Sequence, residues 1–135
     1  MIDANSEPRV LALLVAQDAF KDDRGRTHVH GIFDTIAAPK FPLVMSFMVF
    51  VSFKGTRRGT YQAMVKLLDS LGNILVQTEQ MVFEVTEYKG HNLFINLGIR
   101  FSGPQMYKIQ LHVDGRQRLE VPLMVRQAEV VPPEG

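Results

Sequence analysis

From Val10 to Gln127 the chain repeats apolar, β-branched or aromatic runs broken by short turns that bear Gly, Pro, Asp or Asn, and the clearest of these runs alternate. A repeat of two is the pleat of a half-buried β-strand and excludes the 3.6-residue repeat of a helix. In Tyr61 to Asp69 the residues Tyr61, Ala63, Val65 and Leu67 alternate with Gln62, Met64, Lys66 and Leu68. In Met106 to Val113 the core-facing set is Tyr107, Ile109, Leu111 and Val113, with Lys108, Gln110 and His112 turned to water. Leu119, Val121, Leu123 and Val125 repeat the pattern near the end.

Further strands are expected at about 10–20, 28–36, 43–53, 74–85 and 93–101. With the three clear ones they predict an all-β fold, an antiparallel β-sandwich of about eight strands, immunoglobulin-like. Gly31 interrupts the second strand, whose apolar residues keep neither parity, so a bulge is expected there. Pro122 lacks an amide hydrogen, so the last strand is expected at an edge or unpaired on that side. Ser70-Leu71-Gly72-Asn73 and Asp114-Gly115-Arg116 read as hairpin turns. A single domain is expected over 10–127, with flexible ends at 1–9 and 128–135.

Leu13-Leu14-Val15-Ala16, Asp22-Asp23-Arg24-Gly25-Arg26, Gly31-Ile32-Phe33-Asp34-Thr35-Ile36 and Phe41-Pro42 form one group of motifs. Met106-Tyr107-Lys108, Val113-Asp114-Gly115 and Pro122-Leu123-Met124-Val125 form another. Together they resemble an uncharacterised bacterial family of small β-sandwich domains, marked by the Gly-Ile-Phe-Asp motif, over residues 10 to 127. More loosely they are similar to immunoglobulin-like sandwiches. The resemblance implies a fold and no activity, cofactor or catalytic residue.

The 135 residues include no cysteine, which removes disulfides and thiolate chemistry and suits a cytoplasmic protein. Val10 to Ala16 is too short to span a bilayer, and Asp3 and Glu7 precede it where a signal peptide needs basic residues. No membrane contact and no cofactor are expected. A net charge of +1 gives no bulk attraction for nucleic acid, which is not expected as a partner.

Catalytic motifs are weak. His28 and His30, two apart on a strand, could share one metal, with Asp34 as a third ligand if no bulge intervenes, which would make a metal-dependent enzyme. Gly55-Thr56-Arg57-Arg58-Gly59 lacks the Lys-Ser/Thr ending of a phosphate loop. Asp22, Asp23 and Asp114 could approach one another as calcium ligands, but flanking arginines oppose a dication.

Two other features suggest binding rather than catalysis. If connections alternate between the ends of the sandwich, loops near 21–27, 54–59, 86–92 and 114–118 share one end. That end collects Lys21, Arg24, Arg26, Lys54, Arg57, Arg58, Lys89, Arg116 and Arg118 against Asp22, Asp23, Glu87 and Asp114. Such a cluster attracts anions even on a nearly neutral protein. The strand over 43–53 is apolar on both faces, leaving Val44, Met48 and Phe50 as an expected interface for a homodimer. The expected function is a non-catalytic binding or protein-interaction module that contacts an anionic partner through basic loops. A structural part of a larger bacterial assembly is the alternative.

Overall fold

The computed structural model describes residues 8–55 and 57–129. The flexible ends expected at 1–9 and 128–135 fall largely outside these residues; within them β1 begins at Arg9 and the last strand stops at Gln127. Ten strands form: β1 (Arg9–Lys21), β2 (Thr27–Ile32), β3 (Thr35–Ala38), β4 (Leu43–Lys54), β5 (Gly59–Leu68), β6 (Ile74–Gln77), β7 (Met81–Val85), β8 (His91–Phe101), β9 (Gln105–Val113) and β10 (Arg116–Gln127). Eight were expected because two of the runs each break once. The run over 28–36 leaves one sheet at Ile32 and enters the other at Thr35. Gly31, at φ 68°, precedes this crossover, a backbone state that glycine adopts without the Cβ clash of other residues. The run over 74–85 splits at Thr78, whose hydroxyl accepts the Val65 amide at 3.0 Å.

One sheet has the order β2-β1-β4-β8 and is antiparallel throughout. The other has the order β3-β10-β9-β5-β6, with β7 taking the same edge of β5 further along, at Gly59 to Ala63. The pairing of β3 with β10 is parallel, so the expected wholly antiparallel arrangement is corrected at this edge. A parallel contact follows when a strand crosses between sheets without reversing direction. Met124 N–H donates to Asp34 O at 3.0 Å on the β3 side. Two residues earlier the same side of β10 carries Pro122, before β3 begins, so its missing N–H interrupts no ladder bond.

Between the sheets lies one apolar core. Leu93, Ile95, Leu97, Ile99 and Phe101 of β8 face Val65, Leu67, Tyr107, Ile109 and Leu111 of the second sheet. Removing a side chain of this size from water contributes roughly 1.5–3 kcal/mol. Phe53 stacks on Phe83 across the layers at 4.4 Å, and Phe101 meets Tyr107 edge-on at 4.8 Å. The fully buried Tyr107 keeps its hydroxyl satisfied by donating to Gly103 O at 2.9 Å, as burial of a hydroxyl requires.

The apolar outer face of β4 is smaller than the sequence implies. Val44 is 74% exposed, but Phe50 is only 6% exposed and Met48 is half-buried. Phe50 packs against Phe94 of β8 at 5.5 Å. The expected homodimer surface at Val44, Met48 and Phe50 is therefore corrected: its largest side chain is covered from within the chain.

Candidate functional site

The turn between β1 and β2 is built by Asp22. Its Oδ1 accepts the amides of Arg24 and Arg26, each at 2.9 Å, while Oδ2 accepts Arg26 Nε at 2.9 Å and lies 2.7 Å from His28 Nε2. Gly25, at φ 79°, closes the turn by donating to Asp22 O. These contacts, the His28 ring first, hold the Asp22 carboxyl down at about 2. A second turn, Asp69 to Asn73, repeats the design: Asp69 Oδ1 accepts the amides of Leu71 and Asn73, and Gly72 takes φ 88°. Asp-x-x-Gly-x thus encodes one turn twice, since a short carboxylate can satisfy the amides left free at the tip.

β1 does not run straight. It pairs with β4 from Arg9 to Ala16 and then leaves it to pair with β2 alone. Leu11 and Lys21, ten positions apart, nevertheless line one groove, although a straight strand would separate them by about 33 Å. The β1–β2 hairpin is folded back across the outer face of its own sheet. Asn92 of β8 fixes it there, donating Nδ2 to Thr27 Oγ1 at 3.0 Å while its Oδ1 accepts Ser52 Oγ at 2.7 Å. Ser52 and Asn92 stand directly opposite each other in the β4–β8 pair.

The fold-back encloses a groove of about 500 Å³ at this end of the molecule. Lys21 comes from the hairpin, Lys54 from the end of β4 and Lys89 from the loop before β8; Tyr88, His91 and Phe94 supply rings. Among the described residues no carboxylate lines it. Tyr88 is 91% exposed. Gly90 lies so close to β4 that a Cβ there would fall on the Phe53 carbonyl oxygen. Burial, followed by the charges of Lys21 and Lys89, pushes the His91 pKa below its usual value. Three lysines and no carboxylate line this space, a local excess of positive charge that favours anions over cations.

The basic residues singled out in the sequence have different fates. Lys54 and Lys89 meet in the groove together with Lys21. Arg24, Arg57 and Arg116 are exposed outside it. Arg26 is paired with Asp22, and Arg58 stands 3.8 Å from Glu84. Arg118 donates to Pro8 O at 2.8 Å, anchoring the entry to β1. His28 and His30 do share a face, with ring centres 6.1 Å apart. The carboxylate that reaches His28 is Asp22, not Asp34. Among the described residues no cluster of three or more His, Asp or Glu could hold a metal ion. Nor is any helix long and apolar enough to cross a membrane.

Asn92 and Thr27 carry no motif and are invisible in the sequence, because only the bend of β1 brings them together, while Gly90 is set by the β4–β8 pairing that places His91 opposite Phe53. Phe20 was within reach of the sequence. Once Asp22 to Arg26 is a turn, Phe20 must stand opposite His28, as it does.

No curated protein matches the sequence. Among solved structures, the fold is similar to part of an alkylpurine DNA glycosylase, AlkC, from Pseudomonas fluorescens, bound to DNA containing an abasic site analog. The TM-score is 0.52 at 10% identity, over 89% of this chain and 30% of the glycosylase chain. This chain thus matches less than a third of that protein's length, and the likeness is one of fold. It does overturn the expectation that nucleic acid is an unlikely partner: a protein sharing this shape is bound to DNA, and overall neutrality says nothing of a local cluster of lysines. Residues 11–126 match a family of unknown function, DUF6941, and the chain belongs to that family.

Proposed function

We propose that the chain is a non-catalytic binding module, one domain over 10–127, whose groove holds the phosphate backbone of a nucleic acid. The observation that carries this reading is the convergence of Lys21, Lys54 and Lys89, from three separate elements, on a groove without a carboxylate. Phosphate contacts by lysine give affinity without sequence preference. The exposed ring of Tyr88 beside Lys89 adds a surface on which a base or sugar can lie. The glycosylase, seen with DNA, lends the fold a precedent.

An immunoglobulin-like arrangement is part of the same proposal. Adjacent β10, β9 and β5 correspond to the G, F and C strands of such sandwiches, and β4 beside β8 to B and E. The Tyr107 hydroxyl, bonded to the carbonyl four residues upstream, resembles their tyrosine corner. β1 would then be an added strand, and the groove a feature of that addition.

The test is direct titration of labelled short single- and double-stranded DNA and RNA at low salt. The intact protein should bind at least one of them, and Lys54→Glu with Lys89→Glu should weaken that binding about tenfold or more. No binding to any of the four, or an unchanged affinity in the double variant, overturns the reading.

A further inference from the structure

The outward face of the β1–β2 hairpin carries three nearly parallel rings. Phe20 lies 5.0 Å from His28 at an interplanar angle of 9°, and 5.4 Å from His30 at 16°. An isolated cross-strand pair of this kind would be an ordinary hairpin contact. Three features set this cluster apart. It stands in water, with Phe20 43% exposed and His30 exposed. The His28 ring is held at its edge by Asp22, which also organises the turn. Arg26 shares the Asp22 carboxylate with His28, and Lys21 and Thr27, the immediate neighbours of Phe20 and His28, line the groove on the opposite face.

We infer that Phe20, His28 and His30 form a stacking platform for unpaired nucleobases, and that the module therefore takes single strands whose backbone continues over the hairpin tip into the groove. The inference rests on the groove reading above. Rings fixed in advance lose little freedom on binding, and every base presents a flat face to them, so stacking is tolerant of sequence. Continuity with the groove points to the same occupant: Lys21, next to Phe20, lines it with Lys54 and Lys89, and these lysines supply the cations for the phosphates, since Arg26 is paired with Asp22 and Asp18 stands opposite His30. A duplex keeps its bases stacked on each other and offers the platform only its ends.

The experiment compares a short thymidine strand with an abasic strand of the same length, which keeps the phosphates and lacks the bases. The intact protein should bind the thymidine strand about tenfold tighter. Phe20→Ala and, separately, His30→Ala should bring that ratio towards one while leaving the abasic affinity unchanged. His30→Ala guards against loss of the hairpin in the Phe20 variant. Equal binding of the two strands by the intact protein overturns the platform and spares the groove. A ratio that persists in both the Phe20 and His30 variants also overturns it. Failure of both strands to bind overturns the platform, and the groove reading falls with it only if no duplex binds either.

Discussion

Asn92 Nδ2 donates to Thr27 Oγ1 at 3.0 Å across 65 positions of sequence, joining β8 at one edge of the sheet order to β2 at the other. No ladder bond joins these two strands. The contact exists because the hairpin folds over the sheet face, and it fixes the distance from Lys21 to Lys54 and Lys89. Asn92→Ala removes two side-chain bonds and should cost about 1–2 kcal/mol. Hydrogen exchange should speed up selectively in 17–32. Protection unchanged there would mean that the hairpin is held in place without Asn92.

Gly90 tests the close approach of the loop before β8 to β4. A Cβ at this position would meet the Phe53 carbonyl oxygen, which is backbone and has no rotamer to yield. Gly90→Ala should lower stability by on the order of 2 kcal/mol, read from denaturant unfolding. Gly72, with open space around its missing Cβ, is a useful contrast: Gly72→Ala should be costly only through its positive φ, on the order of 1 kcal/mol.

The twin aspartate turns give a pH signature. The Asp22 carboxyl is held at about 2 and that of Asp69 is lowered, by hydrogen bonds from Asn73 first. A carboxyl whose folded pKa is depressed stabilises the fold fully above its unfolded value, near 3.8. That contribution is lost as pH falls through the folded value. Stability should therefore decline between about pH 4 and 2, and Asp22→Asn with Asp69→Asn should flatten the decline in thermal melts. An unaltered acid limb in the double variant would remove these turns from the account.

His91 links pH to binding. Its pKa is lowered by burial and then by Lys21 and Lys89; Lys54 is the remaining charged group of the groove. An anion bound there offsets the lysine charges and favours the protonated ring, so binding takes up a proton. Affinity for an oligonucleotide should rise as pH falls through the range below the ordinary histidine value, and His91→Gln should reduce that rise. An identical pH profile in the variant would show that the bound anion does not reach His91.

Much of this architecture was legible in the chain. The alternation in Tyr61 to Leu67 and in Tyr107 to Val113 gave the core strands directly, since side chains that alternate need only one buried face. Asp114-Gly115 gave its turn, with φ of 50° and 79°. The crossover at Phe33-Asp34 was not legible as such. A bulge and a change of sheet both break parity, and only long-range pairing with β10 distinguishes them. The candidate site was half-legible: Lys54 and Lys89 could be placed by strand direction. Lys21 was assigned to the same end by an alternation of loops, whereas it arrives there because β1 bends back after Ala16. No local pattern encodes that bend; it is fixed by Thr27, Ser52 and Asn92 meeting across distant segments.

The central claim is that the three groove lysines hold phosphates. It is tested most directly by the salt dependence of single-strand binding in the intact protein and in a Lys21→Ala, Lys54→Ala, Lys89→Ala variant. Each phosphate neutralised on a single strand contributes roughly −0.7 to the slope of log affinity against log salt. The expected result is a slope about two units shallower in the triple variant, with weaker binding at low salt. An unchanged slope would contradict the claim, as would an intact protein that binds no strand at low salt.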